Sequence, residues 1–147
     1  MAWDFETDPE FAEKLAWMRG FIDDEVIPLE PVMSELPAEE WTAVKRHLQD
    51  KVKAQGLWGM FLDPALGGEG AGQLKLAFMS EIIGRCMVSM ELFGVQAPDS
   101  GNMELLAHGA DDAQKQRWLY PNLRGEISSA FALTEPFLAG ADPTVIA

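Results

Sequence analysis

A single cysteine, Cys86, stands among the 147 residues of this chain. It lies in an apolar neighbourhood and has no second cysteine to pair with, so no disulfide forms within the chain, which suits a reducing cytoplasm. Long apolar runs are missing as well. Nothing approaches the roughly 18 consecutive apolar residues that a membrane span needs. The opening MAWDFETDPEF is acidic and lacks the basic start and apolar core of a secretory signal. Basic residues are scarce: 11 Lys and Arg face 24 Asp and Glu, a formal net charge of −13. A balance of this sign repels phosphate backbones and argues against a nucleic-acid partner. The excess is concentrated in residues 1–40, where twelve acids face only Lys14 and Arg19, and it reads as a solvated acidic face.

What is present is the material of a core. Hydrophobic residues make up 48% of the chain, with five Trp and eight Phe, which argues against disorder. The length suits about one domain. Helical spacing dominates. Phe11, Leu15, Met18, Ile22 and Val26 share one face of a first helix. Asp8-Pro9 supplies its start and Pro28 its end. Trp41, Val44, Leu48 and Val52 mark a second helix, opened by Glu39 and Glu40 and stopped at Gly56. A third, over 72–85, has little polar face and is expected to lie buried. Glu81 and Arg85 are spaced to pair at its end. A short helix near 87–94 and another over 101–108 follow. Asp111-Asp112-Ala113-Gln114 reads as a capping box for a helix that carries Trp118 and Leu119. Pro121 then opens a last turn that finishes at Gly125. Residues 128–134 read as a strand, followed by Glu-Pro and a small-residue turn. A strand with so little sequence left to pair with it implies that the chain is the front part of something larger.

The local motifs exclude more than they assign. Gly67-Gly68-Glu69-Gly70-Ala71-Gly72 precedes a helix, but its spacing fits neither common phosphate fingerprint and no Lys-Ser/Thr follows, so it reads as a structural turn. Glu104 and His108 lie four apart, yet the only other histidine, His47, has no Glu three before it, so no metal site is expected. A G-x-S-x-G elbow is absent, and Cys86 has no evident base beside it. Met87, Met90 and Met103 read as core or pocket lining.

Four segments taken together carry more. LWGMFLDPALGGEG, MSEIIGR, QAPDSGNMELLAHGADDAQKQRWLYPNLRGEI and SSAFALTEPFLAGADPT, in this order and spacing, resemble the N-terminal region of the acyl-CoA dehydrogenase family. The resemblance runs from about residue 8 to residue 144. It implies a mainly α fold: residues 1–125 as the helical N-terminal domain, and 126–147 as the first strand of an incomplete middle β domain. It implies FAD as cofactor, acyl-CoA as substrate, electron-transfer flavoprotein as electron acceptor, and a homo-oligomer. In such enzymes a glutamate removes the α proton while the β hydride passes to the flavin.

The resemblance also assigns roles to residues. The strand matching Phe131, Leu133 and Thr134 would lie along the flavin ring, where fixed backbone groups meet its polar edge without reorganising. Gly140 and Ala141 would let the backbone approach the cofactor. The family commonly has Gly-Ser-Asp where this chain has Gly140-Ala141-Asp142, so Ala141 lacks a hydroxyl worth about 0.5–1.5 kcal/mol of hydrogen bonding. Phe93, Gln96 and Met103, on the apolar helices over 87–108, are the candidates to line the acyl tail. No catalytic residue is expected within the chain, because the family's glutamate lies in the part beyond it. Glu135 sits two positions past a flavin-edge contact and is poorly placed to serve as a base. The alternative is a helical interaction module that keeps the fold without catalysis.

Overall fold

The computed structural model describes residues 7–132 and Thr144. The first helix, α1 (Pro9–Phe21), begins where Asp8 accepts a hydrogen bond from the Phe11 amide at 2.9 Å. Its predicted stripe of Phe11, Leu15, Met18, Ile22 and Val26 is buried throughout. The stripe outlasts the α-helix, because winding continues through a π turn at Ile22–Val26 and a 3-10 turn at Ile27–Leu29. Pro28 has no N–H to return to the carbonyl four residues back, and the helix changes pitch ahead of it.

Helix α2 (Ala38–Ala54) buries Leu48 and Val52, with Trp41 and Val44 half-buried against the same core. It stops at Gly56, whose φ of +62° is the left-handed conformation glycine adopts freely. Helix α3 (Gly72–Ile83) corrects the expectation of full burial. Met79, Ile82 and Ile83 are buried, whereas Leu74 is 70% exposed. The helix packs mainly on α1, so its apolar residues on the other side stay uncovered. The predicted Glu81–Arg85 pair is also replaced. Arg85 lies beyond the helix end, out of the i, i+4 register, and pairs with Asp23 of the first π turn.

A single turn, α4 (Ser89–Leu92), and then α5 (Asp99–Gly109) follow. The Ala97–Pro98 peptide between them is cis. The capping box is formed in both directions: Gln114 donates its amide to the Asp111 carboxylate, and Asp111 donates its own to the Gln114 side chain. The short α6 (Asp112–Gln114) leads through a π turn at Lys115–Leu119 into α7 (Tyr120–Leu123). Pro121 stands in the first turn of this last short helix, which finishes at Gly125 with a φ of +75°, as the sequence suggests, although the winding runs into it without a break. The wider π winding just ahead of it makes room for a ring that would strike the carbonyl four residues back in a regular helix.

Two apolar clusters result. The larger joins α1, α2, α3 and residues 86–93 around Met18, Ile22, Val52, Leu57, Met79 and Phe93. The smaller joins Leu62, Met103, Ala107, Leu119 and Leu123. The glycine-rich loop is structural, as its sequence suggests. A side chain at Gly68 would place its first carbon 2.1 Å from the Leu62 carbonyl oxygen, because Gly70 and Ala71 donate their amides to Leu62 and Met60.

Among the described residues there is no strand. Residues 128–132 are irregular, since an isolated strand has no neighbour to complete a ladder. The rest of the expected strand, from Leu133, lies outside the described residues. Among the described residues no helix is long and apolar enough to cross a membrane.

Candidate functional site

A polar groove of about 270 Å³ opens at the junction of the two clusters. α2 contributes Lys45 and Gln49, α5 contributes Asp99 and Met103, and α7 contributes Asn122. Gln96 lines it from the link before α5, and residues 125–128 close one side. Gln49 is held in place by donating to the Glu91 carbonyl at 3.0 Å, and Lys45 pairs with the Glu91 carboxylate at the same distance.

The centre of the groove is Asp99. It is 4% exposed, and its carboxylate gathers donors from three parts of the chain. Gln96 donates its side-chain amide to Oδ2 at 2.7 Å. Asn122 donates to Oδ1 at 3.3 Å, and Ser129 donates both its backbone amide and, at 2.6 Å, its hydroxyl. Asn102 adds a 2.9 Å bond to the Ser129 hydroxyl oxygen. Charge-assisted bonds of this kind are about twice as strong as neutral ones, and a carboxylate this deeply buried needs them. The segment that leaves the helical body is thereby fixed at Ser129.

The exit of α7 is fixed as well. Trp58 donates its indole N–H to the Leu123 carbonyl at 2.6 Å, and Lys53 donates to the Arg124 carbonyl at 2.9 Å while lying 4.6 Å over the Trp58 ring. At the rim, Arg124 and Glu126 pair at 2.7 Å. The Arg124 hydrogen bond holds the Glu126 carboxyl below its ordinary range, and the same bond holds the guanidinium above its own.

The profile of the acyl-CoA dehydrogenase N-terminal domain matches residues 9–126. This chain belongs to the acyl-CoA dehydrogenase family. It is 39% identical over 135 residues to mouse acyl-CoA dehydrogenase family member 10, covering 86% of the chain and 13% of that relative. It is 39% identical over 140 residues to rat acyl-CoA dehydrogenase family member 11, covering 90% of the chain and 18% of that relative. A solved structure from Mycobacterium abscessus, described as a "putative acyl-CoA dehydrogenase", superposes with a TM-score of 0.83 at 37% identity, covering 97% of this chain and 38% of that one. The chain thus spans less than a fifth of the length of these two curated relatives.

The acyl-CoA dehydrogenase fold brings some of the sequence candidates together and separates others. Gln96 and Met103 both line the groove, although the Met103 side chain is almost wholly buried. Phe93 does not join them. It is fully buried in the larger cluster, its ring edge-on to Phe21 at 6.1 Å. Phe131 is 70% exposed and follows the Ser129 tether by two positions. Leu133, Thr134, Gly140 and Ala141, like Glu135, lie outside the described residues. Cys86 is buried and Glu104 and His108 are exposed. Among the described residues no cluster of metal-ligating side chains occurs.

Sequence reasoning missed Asp99, Asn122, Ser129 and Trp58. Asp99 had one visible signal: an acid directly after Ala-Pro at a helix start. That pattern suggests a cap, whereas the side chain accepts from Ser129 and makes no capping bond to its own helix.

Proposed function

We propose that this chain is the N-terminal part of an FAD-dependent acyl-CoA dehydrogenase, and that it forms one wall of the acyl pocket and one edge of the flavin site. The observation that carries the reading is the tether of Ser129 to Asp99, which fixes the chain where it leaves the helical body, two positions before Phe131. Residues 1–125 are the helical domain in this reading, and 126–147 open the middle β domain.

The described part of that segment suits a flavin. Ala130, Phe131 and Ala132 are all exposed, so the chain there is uncovered and accessible to a planar heterocycle. Backbone groups of 131–134 would hold the ring edge, and Gly140 and Ala141 would admit the rest of the cofactor. FAD, when bound, supplies the two-electron acceptor for desaturating an acyl-CoA thioester. The chain's own contribution is to orient and enclose: Gln96 and Met103 border the acyl tail, and Phe93 supports them from the core. The catalytic base belongs to polypeptide beyond these residues, with electron-transfer flavoprotein as acceptor, a homo-oligomeric assembly and a cytoplasmic setting.

A second reading is a non-catalytic helical interaction module. It is favoured by Leu105, Trp118 and Ile127, three large apolar side chains left exposed around one surface cavity. Titration of the chain with FAD and an acyl-CoA separates the two. Flavin absorbance that stays with the protein after free FAD is removed, and that bleaches with substrate in the complete enzyme, supports the first reading. Stable folding with no flavin in any assembly that contains the chain supports the second. The isolated chain is expected to show no dehydrogenase turnover, and turnover by it would overturn the assignment of the base.

A further inference from the structure

We propose that Asp99 is a positioning residue: its buried carboxylate sets where residues 128–132 run, and through them the backbone that meets the flavin. The inference rests on the flavin-edge reading of that segment. Among the described residues Asp99 has no ion-pair partner, so its charge is met by hydrogen bonds and by the N-terminal end of α5. Burying an acid in this way is costly when apolar packing would join the same elements. What the acid adds is direction. Two of its donors come from one residue, Ser129, and a backbone amide and a hydroxyl on one oxygen fix both the place and the orientation of that residue.

The partner on the other oxygen supplies the means of a test. Gln96 donates its amide nitrogen to Asp99, and its own Oε1 is buried with no hydrogen-bond partner. In Asp99→Asn, a half-turn of the Gln96 amide would bring that Oε1 to accept from the new Asn amide, while the Asn oxygen still accepts from Ser129. Asp99→Ala leaves the Ser129 and Asn122 donors with nothing.

Hydrogen exchange of the chain without flavin reads the tether directly. In Asp99→Ala the Ser129 amide should exchange about 10-fold faster or more, with Asp99→Asn much closer to wild type, the loss of one charge-assisted bond setting the scale. Amides of Leu15 and Met18 in α1 should be unchanged in both. Equal rates at Ser129 in wild type and Asp99→Ala overturn the proposal, and so does an acceleration spread equally over α1, which would make Asp99 a support of the whole fold. In the flavin-loaded enzyme, Asp99→Ala should weaken FAD retention by about 10-fold and alter the visible circular dichroism of the flavin, with Asp99→Asn restoring both. Faster exchange at Ser129 with flavin affinity and dichroism unchanged overturns the link to the cofactor. Wild-type enzyme that carries no flavin defeats the functional reading instead, and the exchange result then decides the tether alone.

Discussion

Trp58 donates its indole N–H to the carbonyl of Leu123, at 2.6 Å and across 65 positions of sequence. The bond ties the loop after α2 to the last turn of α7. Glycines make the fit possible. A first side-chain carbon on Gly94 would lie 2.8 Å from the Trp58 ring, and one on Gly125 would lie 3.3 Å from it. Both glycines have positive φ, +66° and +75°.

Trp58→Phe keeps most of the ring and removes the donor. It should destabilise the chain by about 1–3 kcal/mol, the cost of leaving a polar partner unmatched. Gly94→Ala should cost at least about 1–2 kcal/mol from the left-handed backbone alone, before the ring has to shift. Urea unfolding of both variants checks the two values. A neutral Gly94→Ala would show that the Trp58 wedge is loose.

Phe93 separates a core role from a substrate role. Its burial in the larger cluster predicts that Phe93→Ala costs about 3–5 kcal/mol, read as a lower urea midpoint. Phe93→Leu in the complete enzyme should lower stability with little change in KM. A large change in KM at unchanged stability would return Phe93 to the acyl pocket.

Periodicity made the helical stripes legible, because burial along α1 and α2 depends on local spacing. Phe11 through Val26 and Leu48 with Val52 lie where the spacing puts them. The capping box was legible for the same reason, since its partners are three residues apart. The exposed side of α3 was not. Composition shows how apolar a helix is, but it does not show how many neighbours cover it. Winding changes ahead of Pro28 and Pro121 were hidden because a proline can end a helix or follow a π turn, and packing decides which. Of the groove's lining, Gln96 and Met103 were legible only through the family resemblance. Asp99, Ser129 and Trp58 were missed because, Gln96 beside Asp99 apart, the partners that define them lie 23 to 65 positions away, and single-sequence spacing carries no information at that range.

Asp8 links stability to pH. Its side-chain bond to Lys75, followed by the Phe11 amide, holds its carboxyl below the ordinary value of 3.8. A carboxyl lowered on folding adds stability above its unfolded value, and that stability is lost as pH falls through the lowered folded value. Asp8→Asn keeps a good cap and removes the charge. Its melting temperature should lie below wild type at neutral pH, and the gap should close as pH falls through the lowered folded value. A gap that persists in acid would mean that the geometry of the cap matters and the charge does not.

Two glycines test the backbone in opposite directions. Gly20 lies inside α1 with nothing within 4 Å of where a side chain would begin. Alanine there should stabilise the chain by about 0.5–1 kcal/mol, because glycine loses more backbone entropy when a helix forms. Gly68 has the Leu62 carbonyl oxygen at 2.1 Å and its carbon at 2.6 Å from the same imagined atom. Both obstacles are main chain, so no rotamer change relieves them. Gly68→Ala must break the amide bonds that Gly70 and Ala71 make to Leu62 and Met60, at about 1–3 kcal/mol for each buried group left unpaired. Paired thermal melts should move upward for Gly20→Ala and downward for Gly68→Ala. A Gly68→Ala protein as stable as wild type would mean that the loop does not close on residues 60–62, and the glycines there would need another explanation.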